Sequence, residues 1–403
     1  VSLVEAQTFA SYGFAILAVT SCAYFLLSAM ASLVARWRRR IPSDRPRLSL
    51  LVPLCGAEER LEANLRAGLA ALDTDDEMIV GAADSSDPAL AVARRIEDER
   101  LRVVAGSPSR ATNRKIAALT ALEPLATRDV IVLVDSDVRL SREELARLAG
   151  SAGTGIATAL YRGVPAGSLA SRIEALAINA DFVPSVLVAD LLGGGIRFAL
   201  GAANAVHRQA LASIGGFASL GEVLADDHEL GKRIARAGFP VRIAPVCVPI
   251  VQDSSLRDTF ARLLRWCRTY RVCQPVGYGA TVFSHHGIAA SLAATALAPA
   301  LWPLAAATIG ARLVTAGIAH VAVAGAQADL ISLPLLPVRD VIATALFALA
   351  WTGRTVTWRG RRFRVAADGT MQGVGVSGAE GDGAPRLAEH TATLTVASGG
   401  RTQ

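Results

Sequence analysis

From Ala6 to Ala35 the sequence carries no Asp, Glu, Lys or Arg, and this run of about 30 residues stops at RWRRR, Arg36 to Arg40. A helix needs only about 20 apolar residues to cross the hydrocarbon core of a bilayer. One part of the chain is therefore committed to lipid, and the rest must fold around that commitment. A cleaved signal peptide has its charges before a shorter apolar core and a small-residue cleavage site after it, the reverse of this order. The expectation is an uncleaved anchor. Its arginine cluster stays on the cytoplasmic side, so that everything from about residue 40 begins in the cytosol.

The apolar excess is confined to the two ends, which explains a hydrophobic fraction of 52% and a mean hydropathy of +0.39. Val272 to Ala311 is a second uncharged tract, long enough for one span and an interfacial lead-in. Leu313 to Leu336 follows, interrupted by Asp329, and Val341 to Trp351 is too short to span unaided. The basic WRGRRFR, Trp358 to Arg364, also prefers the cytoplasmic face, so two C-terminal spans are expected, with the short piece re-entrant or interfacial. From Ala366 onward the Gly-, Ala- and Thr-rich tail lacks periodicity and reads as disordered. The net charge of +6 comes largely from arginine clusters beside apolar segments, which suits anionic headgroups. No basic stripe with interleaved aromatics supports nucleic-acid binding. The five cysteines lack the short paired spacings of a zinc site and read as buried, reduced thiols.

Between about 45 and 275 short apolar runs alternate with helical patterns, the signature of an α/β domain with a mainly parallel sheet. LSLLVP (Leu48 to Pro53), MIVGAAD (Met78 to Asp84), LRVVA (Leu101 to Ala105) and VIVLVDSD (Val130 to Asp137) are the expected strands. Helices begin at Pro88 and at Ser141, where Glu144 completes a capping box. Ligands of such sheets lie outside the carboxyl ends of the strands. That rule gathers Cys55–Glu58, Asp84–Asp87 and Asp135–Asp137 at one edge. The expected division is an anchor over 1–40, a catalytic domain over 41–255, a basic interfacial helix over 256–275, a membrane region over 276–353, and a basic flank and tail over 354–403.

Asp135 and Asp137 end the fourth strand. In extended chain two such residues share a side, and paired hard oxygens suit Mg2+ or Mn2+ completed by phosphate oxygens; a polar loop end is the bland alternative. LADDHELGKRIARAGF opens a helix with Asp226, Asp227 and His228, and Leu230, Ile234 and Ala237 form its buried face. Those acids either favour the helix dipole or supply a general base, with His228 exposed. Lys115 reads as solvated by default. Arg262, Arg265, Arg268 and Arg271 form a stripe beside Trp266, either a membrane-surface helix or guanidinium pairs for a diphosphate. Gly193–Gly195 lacks the spacing of a dinucleotide fingerprint and reads as a flexible loop, and His285 and His286 read as interfacial.

Together LSLLVPLCGAE, AADSSDPA, VDSDVR, FALGAANAVHRQALASIGGF, LADDHELGKRIARAGF and RLLRW resemble the family 2 type glycosyltransferases of GT-A fold. Within them the resemblance is closer to the ceramide glucosyltransferase branch, family 21, with its bacterial lipid-modifying relatives. It covers about residues 47 to 270. It implies that Asp84 contacts the uridine of a UDP-sugar donor, that Asp135 with Asp137 holds a divalent metal, Mg2+ or Mn2+, on the diphosphate, and that Asp227 is the base. Arg262, Arg265 and Trp266 become the R-x-x-R-W that closes the donor or acceptor site. Processive polysaccharide synthases usually carry Gln at the position of Arg262. Eukaryotic ceramide enzymes often lack the second acid, here Asp137, which places the chain nearer bacterial members, including those that glycosylate hopanoids. The implied activity is inverting transfer of a hexose-type sugar to a hydroxyl of a membrane lipid, ceramide or hopanoid in type. A processive polysaccharide synthase and a catalytically idle nucleotide-sugar binder are the rival readings.

Overall fold

The computed structural model describes residues 2–38, 41–42, 45–253, 255–358 and 361–374. A long helix α1 (Leu3–Arg38) precedes the sheet domain. That domain runs β1 (Leu48–Leu54), α2 (Leu61–Ala71), β2 (Glu77–Ala82), α3 (Pro88–Ala93), β3 (Leu101–Ala105), α4 (Arg114–Leu122), β4 (Val130–Val134), α5 (Arg142–Ala152) and β5 (Ile156–Pro165). An inserted helical segment follows: α6 (Leu169–Leu176), a π-helical stretch (Ala177–Phe182) and α7 (Val183–Gly193). The domain continues with β6 (Ala203–His207), α8 (Arg208–Ser213), α9 (Asp226–Arg236) and β7 (Val241–Gln252). Beyond it lie α10 (Leu256–Cys273), α11 (Pro275–Ala280), α12 (Gly287–Leu297), α13 (Trp302–Ala324) and α14 (Leu336–Ala350). A small antiparallel sheet, β8 (Thr355–Trp358), β9 (Arg361–Val365) and β10 (Met371–Gly373), completes the described chain.

The large sheet has the order β3-β2-β1-β4-β6-β5-β7, with β6 antiparallel to both its neighbours and every other pairing parallel. β1 and β4 are buried along their whole length, which is why they read as unbroken apolar runs and not as alternating ones. Alternate residues feed two cores. Leu50, Val52, Val80 and Val132 face α2, α3 and α5 through Leu65, Leu90 and Leu148. Leu51, Ile79, Ile131 and Leu133 face the opposite layer of Ile116, Leu119, Leu187 and Ile234, which also takes in Ala31 of α1 and Val323 of α13. Each fully buried side chain of this size contributes about 1.5–3 kcal/mol, so the layer binds the sheet to the long apolar helices firmly.

Among the described residues four helical segments are long and apolar enough to cross a membrane: Leu3–Arg38, Leu169–Gly193, Pro299–Gln327 and Leu333–Ala350. The second was missed, because Arg172, Glu174, Asp181 and Asp190 interrupt its apolar pattern. The tract Val272–Ala311, expected to be one span with a lead-in, is broken instead. Its chain leaves helical geometry at Ala298 and restarts at Trp302, as Pro299 and Pro303 require. Val341–Trp351, judged too short, is extended upstream into Leu333–Ala350 with Pro334 and Pro337 at its helix starts. Asp181, Arg312, Arg339 and Asp340 in these helices are paired. Arg312 donates from Nε to Asp340 (2.8 Å) and from a terminal nitrogen to the Ala180 carbonyl (3.0 Å), and Asp181 bonds to both Arg312 and Arg339. Asn179 on the π stretch accepts from Gly163 N (2.9 Å) and donates to its carbonyl (2.8 Å), tying the same segment to β5.

Other expectations need correction. The supposed tail is ordered as far as Val374, because Met371 N bonds to the Glu222 carbonyl (2.7 Å) and β10 pairs with β9; residues 375–403 lie outside the described residues, as do Arg39 and Arg40 of the first basic cluster and Arg359 of the second. The Gly193–Gly195 stretch ends a helix: Gly194 adopts φ 63° and caps α7. Ala237 is the exposed C-cap residue of α9, while Leu230 and Ile234 are buried as expected. All five cysteines are free and half-buried. His285 bonds to Ser185 (3.0 Å) and His286 to Thr344 (2.9 Å) among the helices.

Candidate active site

The expected convergence at the sheet edge is present. Gly56 N, after β1, donates to both carboxylate oxygens of Asp87, after β2 (2.9 and 3.2 Å), and Asp87 also caps α3 through Ala89 N (3.0 Å). Asp84 accepts from Ser86 N (3.0 Å) and Ser86 Oγ (2.8 Å) and lies 3.5 Å from Arg114. The Ser86 bonds first, and Arg114 after them, hold its exposed carboxyl below the usual carboxylate range.

β4 ends at Val134, three residues earlier than expected. Val138 N bonds to the Asp135 carbonyl (3.0 Å), so Asp135–Asp137 form a turn, and the two-residue alternation of a strand does not apply to them. Asp135 is half-buried and Asp137 exposed.

Asp135 faces Lys115. The Lys115 ammonium lies 2.9 Å from Asp135, 3.2 Å from Asp227 and 3.6 Å from Asp226. The default reading of a solvated lysine was wrong for a local reason. Asn113 caps α4, accepting from Lys115 N (3.0 Å) and Ile116 N (3.3 Å), and is itself fully buried, its amide donating to the Val223 carbonyl (3.2 Å). That bond presses the first turn of α4 against the loop leading into α9. The same loop is fastened from outside by the small sheet, through Leu224 N to the Gly369 carbonyl (3.2 Å).

Asp226 and Asp227 open α9 as expected. Asp227 also accepts from Asn204 Nδ2 of β6 (3.2 Å). Gly231, one turn on, permits this placement, since a Cβ there would stand 2.2 Å from Ala199 N. Burial first, then the negative Asp226 and Asp135, push the Asp227 carboxyl well above the usual range, against the pull of Lys115. The same three acids hold the Lys115 ammonium well above its usual value despite its burial. His228 is not exposed: its side chain is 17% accessible and its ring stacks on Phe198 at 5.5 Å, burial lowering its pKa.

The arginine stripe does not lie open to lipid. Arg262 Nε stands 3.2 Å from Glu174 of α6, with Arg265 in electrostatic reach of the same carboxylate. Arg268 donates to the Thr355 carbonyl (2.6 Å) and Arg271 to that of Gly353 (2.8 Å). Trp266 is half-buried against the layer that contains Tyr161 and Phe198. Thus Asp135, Asp226 and Asp227 meet directly and Asp84 joins through the helix that carries Arg114 and Lys115, while Arg262 and Arg265 gather at Glu174.

Asn113, Arg114, Asn204 and Glu174 escaped the sequence reading. Only Asn113 carried a local signal, as a capping residue before a helix. The carboxylates turned toward one cation are hard oxygen donors, suited to Mg2+ or Mn2+. Among the described residues no group of three or more His, Cys, Asp or Glu is arranged to hold a metal ion alone.

The family model described as Glycosyl transferase family 21 matches residues 13–371. Among solved structures, the mannosyltransferase PcManGT from Pyrobaculum calidifontis, in complex with GDP-Man and Mn2+, is 20% identical, with a TM-score of 0.49 over 84% of this chain and 97% of that one. TarS 1-349 from S. aureus, in complex with UDP-GlcNAc, is 13% identical, with a TM-score of 0.37 over 82% of this chain and 100% of that one. Glucosyl-3-phosphoglycerate synthase from Mycobacterium tuberculosis, in complex with Mn2+ and UDP-Glc, is 18% identical, with a TM-score of 0.36 over 57% of this chain and 80% of that one.

Proposed function

The chain belongs to glycosyl transferase family 21, and from that premise we propose that it moves a hexose from UDP to a hydroxyl of a membrane lipid, ceramide or hopanoid in type, with inversion at the sugar. The observation that carries the reading is the meeting of Asp135 with Asp226 and Asp227 around Lys115, at the carboxyl edge of a GT-A sheet. The second core layer of that sheet is shared with apolar helices of spanning length, which supports an acceptor confined to the bilayer, and the arginines that end α1 support a catalytic domain on its cytosolic side.

Asp227 takes the proton of the acceptor hydroxyl. The freed oxygen attacks the anomeric carbon from the side opposite the diphosphate, and the bond to UDP breaks with its electron pair leaving on the phosphate oxygen. A carboxyl held above its usual range by burial is better matched to this duty near neutral pH than a solvated aspartate. Asp84, kept anionic by Ser86, orients the uridine. Arg262 and Arg265 receive the departing diphosphate, and Trp266 closes the site. Asp135, with Asp137, would hold the Mg2+ or Mn2+, whose chemistry when bound is neutralisation of charge on the leaving group.

Asp227→Asn, measured as transfer from UDP-glucose to extracted membrane lipid, should lower kcat by about 10²- to 10⁴-fold while UDP binding is kept. Retention of more than a tenth of the activity would remove Asp227 from the role of base.

A further inference from the structure

Glu174 is a charge to which the proposed reaction assigns no part. It lies on α6, only 1% exposed, and neither of its carboxylate oxygens makes a hydrogen bond. Arg262 faces it at 3.2 Å, and Arg265 lies in its field. A buried carboxylate without hydrogen bonds is costly, and so are two guanidinium groups one helical turn apart on α10. Each cost is relieved by the other.

We propose that Glu174 is a positioning residue for the leaving group: it holds Arg262 from the Nε edge, so that the R-x-x-R-W guanidinium pair is assembled before a nucleoside diphosphate arrives. The inference rests on the reading that Arg262 and Arg265 receive the diphosphate of UDP. Glu174 touches no substrate. It sits on the segment that Asn179 fastens to β5 and Asp181 fastens to α13 and α14, so the carboxylate is fixed and the arginine conforms to it.

The test uses the full chain in nanodiscs, with binding of UDP in the presence of Mn2+ read by calorimetry. Glu174→Gln keeps shape and removes charge, and it should weaken UDP binding about tenfold, the worth of one charge-assisted hydrogen bond from Arg262 to the diphosphate that is no longer oriented. Arg262→Gln should weaken it by at least as much, and the double variant should bind no more weakly than Arg262→Gln alone. Glu174→Asp, which keeps the charge, should bind UDP more tightly than Glu174→Gln; thermal unfolding of each variant separates a folding defect from a binding one. Unchanged or tighter binding by Glu174→Gln, or additive losses in the double variant, would overturn the proposal while leaving Arg262 as a donor ligand. Unchanged binding by Arg262→Gln would overturn that donor reading and the inference with it.

Discussion

Replacing Lys115 by Met removes a cation from the centre of the acidic cluster and keeps most of its apolar volume. Asp227 and Asp226 stand 3.2 and 3.6 Å from the ammonium, and all three side chains are at most 15% exposed. At an effective dielectric of ~20 each pair is worth about 5 kcal/mol of Coulomb energy before desolvation is counted. Asp135, 2.9 Å away but 38% exposed, contributes less because solvent screens it. Loss of one partner from such buried pairs costs about 3–5 kcal/mol net. With each kcal/mol moving the midpoint of a domain of this size by about 2–4 °C, the expected fall in Tm is on the order of 10 °C.

The loss depends on pH in a definite direction. The Asp227 carboxyl is already raised in the folded protein and is raised further without Lys115, so the variant keeps its stability below the unfolded carboxylate pKa and loses it as pH rises through the folded value. Thermal unfolding of the nanodisc-held protein at several pH values should show wild type and variant converging in acid and diverging toward pH 8. Millimolar Mn2+ should restore part of the variant's Tm. Curves that coincide at pH 8, or a gap that is independent of pH, would refute the view that Lys115 is the counter-ion of the cluster.

Chelation by EDTA should abolish sugar transfer, with recovery on adding Mn2+ or Mg2+, and Asp135→Ala should need far more metal for half-recovery; this is read as UDP release against added metal. Gly231→Ala should cost both activity and stability, because the new Cβ must displace α9, and Asp227 with it, from the 198–199 backbone; a kcat drop of about 10²-fold and a loss of about 1–3 kcal/mol, read by thermal unfolding, are expected. Arg312→Met should destabilise by about 3–5 kcal/mol, since it leaves Arg339 alone to balance Asp181 and Asp340 among buried helices, and unfolding in nanodiscs checks it.

The parts of this protein legible from sequence are those governed by periodicity. Largely apolar runs at Leu48–Leu54 and Val130–Val134 announced buried strands, the strand-end rule placed Asp84 and Asp135 at one edge, and the capping box at Ser141 and Glu144 is present. What remained hidden depended on partners far away in the chain. Nothing near Lys115 forecasts that Asn113 draws it toward a loop 110 residues later, and nothing near Arg262 names Glu174 as its partner. The apolar segment Leu169–Gly193 was masked by charges that fold inward: Asp181 looks soluble until Arg312 and Arg339 arrive from the far end of the sequence. The shape of the D-x-D also failed to follow from the strand before it, because one backbone bond from Val138 turns the chain at Asp135.

The π-helical stretch has hydrogen bonds in two directions, Asn179 to a strand of the sheet and Asp181 to the helices of spanning length. A segment bolted to both leaves little freedom for one to tilt against the other. On the proposed reading the base, Asp227, then rides at a set height above the bilayer, as a cutting head rides on a fixed gantry. If the acceptor is a lipid, such a protein measures its substrate with a depth gauge: a hydroxyl is selected by how far it stands from the hydrocarbon, and the shape of the remaining molecule matters less.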